Sequence, residues 1–352
     1  MKILQVMAGA ARGGAETAFV DLCIAMKEAG EEVAVVTRPN DLRVPRLRAA
    51  GIEVHTLPFG GKIDVYTPVR LRRIIKRFQP DIVQGWMQRG PSKIPAWDAR
   101  MGTPRYLVCV RLGGYYKLKY FRSADYFSTI TPDIKRHLVE HGVDADRVRE
   151  IYNFAETEDA ATSIDRAEYG VPKDAPLLLG LGRLHVSKGF DVLIPAVAAL
   201  PDVHLWIAGE GPQRAELESL IAAHDCGDRV RLLGWRSDRA ALFQAADICV
   251  FSSRYEPFGT VFVQAWAEKT PLITCNADGP RQFVRDGEDG VVVPIDDVAA
   301  MRNAISRLVE DKALAARMVE NGHKRYVEGF TKAQCVKNYL DFYTDIRAAE
   351  GL

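Results

Sequence analysis

Two short segments carry residues suited to handling a phosphorylated, hydroxyl-rich ligand. In "GRLHVSKG" (182–189), Arg183 and Lys188 stand five positions apart among glycines. Both cations can reach one diphosphate, each charged hydrogen bond contributing roughly 1.5 to 3 kcal/mol. They also read as two solvated loop charges. In "EPFGTVFVQAW" (256–266), Glu256 precedes a Pro/Gly turn and Gln264 sits inside an apolar run. The stretch is either a working pair of polar groups or a turn into a core helix with one tolerated amide.

Glycine loops surround these segments in the sequence. "GAARGGAET" (9–17) sets Gly9, Gly13 and Gly14 between a strand and a helix whose first turn holds Glu16. Glycine lets backbone approach a ligand, and a helix N-terminus offers free N–H groups to an anion. The spacing is not GxGxxG, so the dinucleotide fingerprint is absent. "GEGP", with Gly209, Glu210 and Gly211, and "NADGPRQ" (276–282) add two more loops at predicted strand ends. Four such loops are expected to converge on one sheet edge, where open α/β sheets collect ligands.

Other motifs point elsewhere. Tyr115 and Lys119 form YxxxK without a cofactor loop, and Asp144 and Asp146 form DxD after a glycine beside Arg147 and Arg149, which reads as a solvated turn. "RLRRIIKRF" (70–78) and "GGYYKLKYFR" (113–122) mix bases with apolar and aromatic residues, a composition suited to a membrane surface, to RNA, or to a solvated outer helix. Residues 38–122 hold 18 Lys/Arg against 5 Asp/Glu, a balance of +13, although the whole chain is only +1. Such a block seeks anions.

The elements that would position these groups follow from pattern. At 352 residues with 47% hydrophobic and 26% charged composition, two cores are expected. Short apolar runs alternate with helical periodicity, first over residues 2–142 and again over 177–293, as in parallel sheets buried on both faces. The acidic, proline-punctuated stretch 155–176 reads as the linker, and the last three segments as helices. No apolar run is long enough to span a bilayer, and the N-terminus has no long apolar core of a signal peptide, so a cytoplasmic location is expected. Six scattered cysteines and seven histidines show no metal-ligand spacing.

In order, "RGGAE", "GRLHVSKG", "GEGP" and "SSRYEPFG" followed by an apolar helix resemble the retaining nucleotide-sugar glycosyltransferases of the GT-B fold, family 4. The resemblance covers nearly the whole chain and is strongest over 177–300. It implies an α/β fold of two doubly wound Rossmann-like domains facing a cleft, with C-terminal helices bracing both. The expected limits are 1–165 on the acceptor side, 166–330 for the nucleotide-sugar, and 331–352 returning to the first domain. Arg183 and Lys188 would neutralise the donor diphosphate without a metal, and Glu256 would contact donor sugar hydroxyls, making these three the expected catalytic residues. Gly13, Gly14, Gly182, Gly209, Glu210, Gly211, Phe258, Gly259 and Gln264 would line the donor, a UDP- or GDP-sugar.

The chain departs from the family pattern where it would meet its acceptor. Gln264 replaces the second acid of the family's motif, Gln282 stands where Glu is common, and Arg111 stands where a histidine usually ends its strand; Gln84 and Trp86 occupy a stretch often rich in histidine. Arg111, Arg89 and Lys93, with Glu16, suggest an acceptor side suited to an anionic, lipid-linked or envelope-polysaccharide substrate such as a lipopolysaccharide core. The implied location is peripheral, on the anionic cytoplasmic membrane face, with no nucleic-acid partner. A nucleotide-sugar epimerase of the same fold, or a non-catalytic nucleotide-sugar or nucleic-acid binding module, are the competing readings.

Overall fold

The computed structural model describes residues 1–11, 13–61, 63–156 and 163–352. Residues 157–162 of the expected linker lie outside the described residues. The chain divides into two compact units, Met1–Asn153 with Lys332–Leu352, and Phe154–Thr331.

The first unit runs β1 (Lys2–Met7), α1 (Gly14–Glu28), β2 (Glu32–Thr37), α2 (Arg43–Ala49), β3 (Glu53–Thr56), α3 (Tyr66–Phe78), β4 (Ile82–Trp86), β5 (Leu107–Leu112), β6 (Tyr126–Thr129), α4 (Pro132–Glu140) and β7 (Val148–Glu150). All seven strands are parallel, in the order β3-β2-β1-β4-β5-β6-β7, so the order reverses between β1 and β4. Every position of β4 and β5 is buried, which explains why they read as continuous apolar runs. The polar Gln84 and the charged Arg111 interrupt those runs and mark them for inspection.

The second unit runs β8 (Leu177–Leu181), α5 (Phe190–Ala198), β9 (His204–Ala208), α6 (Arg214–Ala223), β10 (Val230–Gly234), α7 (Arg239–Ala245), β11 (Ile248–Phe251), α8 (Thr260–Ala267), β12 (Leu272–Cys275), β13 (Val291–Val293), α9 (Val298–Glu310) and α10 (Lys312–Gly329). Its six parallel strands are ordered β10-β9-β8-β11-β12-β13, reversing between β8 and β11. Leu178, Leu205, Ile207, Val250 and Ile273 of the sheet pack with Leu193, Ile305 and Met318 of the helices. Each such side chain contributes roughly 1.5 to 3 kcal/mol on burial. The last helix, α11 (Lys332–Ala349), belongs to the first unit, where the Tyr343 hydroxyl donates to Gln84 Oε1.

Two elements escaped the sequence reading. Helix α2 buries only Val44 and Leu47 among its apolar residues, too few to show a period, and β7 has three residues. Helix α1 starts at Gly14, taking in the last glycine of the loop and keeping Glu16 in its first turn, and α4 stops at Glu140 with Gly142 beyond it at φ +93°.

Candidate active site

In the second unit the glycine segments leaving β8, β9, β11 and β12 lock together backbone to backbone at the point where strand order reverses. Gly182 N donates to Ala208 O at 3.1 Å, Leu184 N to Glu210 O at 3.0 Å, and Gly279 N to Glu256 O at 2.7 Å. The approach leaves no space for side chains. A Cβ on Gly209 would lie 1.8 Å from Gly182 O, and one on Gly189, which also has φ +65°, 2.2 Å from Ser252 O. Gly211 meets Leu184 as closely.

Lys188 ends a 3-10 turn, Val186–Lys188, capped by His185, whose Nδ1 accepts from Ser187 N at 3.2 Å. Ser252 Oγ donates to Lys188 O at 2.9 Å, tying the turn to the end of β11. The Lys188 ammonium then pairs with Glu256 Oε2 and lies 5.6 Å from the Phe251 ring centre. Both members of the pair are about four-fifths buried.

Glu256 is positioned by the packing of the turn behind it. Phe258 is buried against Phe262 and Phe283, with ring centres 5.3 and 5.2 Å apart, and Trp266 and Phe330 close the cluster. Such pairs add roughly 0.5 to 1.5 kcal/mol beyond their buried area. Gly259, at φ +91°, turns the chain into α8, whose first N–H groups have no side-chain cap. Gln264 lies within α8, half-buried, and makes no side-chain hydrogen bond among the described residues. Arg183 is exposed and forms no ion pair among them. Glu210 pairs with Arg214 four residues on, at 2.8 Å.

Arg254 is a residue the sequence reading passed over. Its Nη1 and Nη2 hold Asp191 Oδ1 and Oδ2 at 2.7 and 2.6 Å, its Nε holds Asp296 at 2.5 Å, and Nη1 also donates to Val186 O at 2.7 Å. The fork therefore braces the Lys188 turn from behind. Burial alone would raise the Asp191 carboxyl, but the Arg254 hydrogen bonds and charge more than offset it and hold it below the usual carboxylate range.

In the first unit, Gly13 caps α1 and Gly14 opens it, with nothing within 4 Å of a Cβ placed at Gly14. Glu16 is buried and accepts from Ala10 N at 2.6 Å, Arg43 Nη1 donates to Ala10 O at 3.2 Å, and Asn40 Nδ2 to Ala11 O at 3.0 Å. Glu16 thus shapes the glycine loop rather than presenting a free carboxylate. Arg111 is buried, stacks 4.1 Å over the Trp86 ring and donates to Asn153 Oδ1. Lys93 is not a free cation either: it donates to Asp64 O at 2.9 Å and Gly61 O at 3.2 Å and pairs with the Asp64 carboxylate at 3.7 Å. Arg89 is exposed. Asp144 accepts from Asp146 N at 3.0 Å, the turn role expected of that pair.

Comparison with known proteins matches both units. The model of the glycosyl transferases group 1 covers residues 162–325, and that of a glycosyl transferase 4-like domain covers residues 13–153. The lipopolysaccharide core biosynthesis glycosyltransferase LpsE of Rhizobium meliloti is 34% identical over 330 residues, 93% of this chain and 95% of that protein. LpsD of the same organism is 30% identical over 97% of this chain and 98% of its own length. Among solved structures, a glycosyltransferase from Rickettsia africae superposes with a TM-score of 0.85 at 20% identity over 98% of each chain. Anabaena HepE in complex with UDP-glucose does so at 0.83 and 20%, covering 98% of this chain and all of that one.

Proposed function

The chain belongs to the glycosyl transferases group 1, of the GT-B fold, and we propose that it moves a sugar from a UDP- or GDP-sugar to a lipid-linked or envelope-polysaccharide acceptor of the lipopolysaccharide-core kind, at the cytoplasmic face of a membrane. The observation that carries this reading is the Lys188–Glu256 pair set among the locked glycine segments. The relatives named for lipopolysaccharide core biosynthesis supply the acceptor class, and the UDP-glucose held by Anabaena HepE supplies the donor class.

Lys188 and Arg183 neutralise the diphosphate, and the uncapped N–H groups at the start of α8 add partial positive charge beside it. Glu256 accepts from the donor sugar hydroxyls, and Gln264 offers a carbonyl and an NH2 to the ribose. The bond from the anomeric carbon to the phosphate oxygen breaks while the acceptor oxygen bonds the same face, giving retention. The acceptor proton passes to the departing phosphate, and no metal takes part. Charge growing on the leaving diphosphate is met by cations already in place, which favours the transition state over the ground state.

The test is a thermal-shift panel with UDP-, GDP- and ADP-sugars, where a micromolar site gives a readable rise at millimolar ligand. Product analysis of the responding donor, with and without acceptor, then reports anomeric configuration and separates transfer from epimerisation, which needs no acceptor. Absence of any shift in the panel sinks the reading.

A further inference from the structure

We propose that Arg111 is a specificity-determining residue that reads an anionic group, a carboxylate or a phosphate carried by one of the two sugar substrates, which rests on and deepens the reading above. Arg111 lies near the end of β5, one strand from the point where the order of the first sheet reverses. Open parallel sheets hold ligands at that edge.

The charge of Arg111 has no counterpart. The residue is 3% exposed, and no carboxylate pairs with it among the described residues. The neighbours it meets are the Trp86 ring of β4, the Asn153 amide, Ser128 of β6, and Tyr339 and Cys335 of α11, all neutral. The Trp86 face occupies the guanidinium without cancelling its charge. The Tyr339 hydroxyl and Ser128 Oγ are buried and have no partner within hydrogen-bond geometry among the described residues. Arg254, Arg325 and Lys93 show the ordinary arrangement, each meeting a carboxylate. A cation taken out of water without an opposite charge is costly, and an incoming anion removes that cost.

At Gly113 the guanidinium has no side chain over it. This glycine is half-buried, and a Cβ there would lie 3.6 Å from Arg111 Nη1. Stacked on Trp86 and held by Asn153, the planar fork is fixed in orientation, which suits two-point capture of a carboxylate or phosphate.

The test is calorimetry on the full chain in two arms. UDP-glucuronate against UDP-glucose, and GDP-mannuronate against GDP-mannose, place the charge on the donor. Glucuronate and glucose 6-phosphate against glucose, each in saturating UDP or GDP, place it on the acceptor. In one arm the charged sugar should bind at least about tenfold more tightly than its neutral counterpart, the worth of a charged hydrogen bond. Arg111→Gln should abolish that preference and Arg111→Lys should keep part of it, a dependence on charge that a purely structural arginine would not show. Gly113→Val, whose Cβ meets Ile130 and Arg111 at ordinary contact distances, should abolish it with Arg111 still in place. Relieved of an unpaired buried charge, Arg111→Gln should melt no lower than wild type. Binding of UDP or GDP itself belongs to the reading above, and its absence sinks that reading. Nucleotide binding with equal affinity for charged and neutral sugars in both arms overturns this one, as does a preference that survives Arg111→Gln or Gly113→Val.

Discussion

The ammonium of Lys188 is held by the carboxylate of Glu256, 68 residues further along the chain, at the reversal point of the second sheet. A donor diphosphate must therefore compete with Glu256 for the same cation. Glu256→Gln should bind UDP at least about tenfold more tightly, since a charged hydrogen bond is worth roughly 1.5 to 3 kcal/mol, yet lose at least about 100-fold in kcat for want of a sugar-side carboxylate. Calorimetry with UDP and steady-state kinetics check the two signs. Weaker UDP binding with normal turnover would mean that the pair does not guard the phosphate site.

Gln264 lies on α8, within the turns that follow Glu256, and its amide has no internal partner among the described residues. Gln264→Ala should raise donor KM about fivefold with kcat little changed, and Gln264→Glu should lower KM by restoring a charged acceptor. Kinetics with varied donor at saturating acceptor decide it. A fall in kcat alone would place Gln264 against the reacting sugar instead.

Arg254 touches Asp191, Asp296 and the Val186 carbonyl, whereas the Lys188 ammonium pairs with Glu256. Arg254→Ala should lower kcat/KM about tenfold and also lower stability at neutral pH. The pH dependence has a definite sign. The folded Asp191 carboxyl is depressed, so its contribution is present above the unfolded value near 3.9 and is lost as pH falls through the folded value. The gap between wild type and variant in urea denaturation should thus narrow below about pH 4. A gap that is constant from pH 7 to pH 3 would show that the ion pair is not its source.

Gly209 and Gly14 give opposite expectations. At Gly209 a Cβ meets Gly182 O at 1.8 Å, so Gly209→Ala should cost about 1 to 3 kcal/mol and disable donor binding. At Gly14 the space is open, and alanine suits a helix start, so Gly14→Ala should leave the melting temperature unchanged or slightly raised while lowering kcat/KM if a ligand uses that opening. Thermal unfolding and kinetics on both variants separate crowding by the protein from crowding by the ligand.

What the sequence could reveal depended on how local each signal was. Strands β4, β5 and β8 were visible as apolar runs, and the Lys188 and Glu256 segments as glycine-bounded motifs. Arg254 was invisible because its carboxylate partners lie 63 and 42 positions away. Arg111 and Lys93 looked like free cations because sequence gives charge without burial; the Trp86 face and Asp64 that occupy them are set by tertiary packing. Glu16 was recognised as significant, but its bond to Ala10 N requires knowing how the glycine loop folds back over the helix.

Helix α11 gives this protein an order of events. The buried Gln84 carbonyl is answered by Tyr343, Asp81 by Arg347 at 3.1 Å, and Arg149 by Asp345 at 3.0 Å, so the first-made unit is completed by a helix that is synthesised only after the whole second unit. The second unit, Phe154–Thr331, has all its strands before then. During synthesis the earlier segment must wait with an uncovered flank while the later one can close, and a chain halted after residue 331 would carry a finished second unit beside an unfinished first.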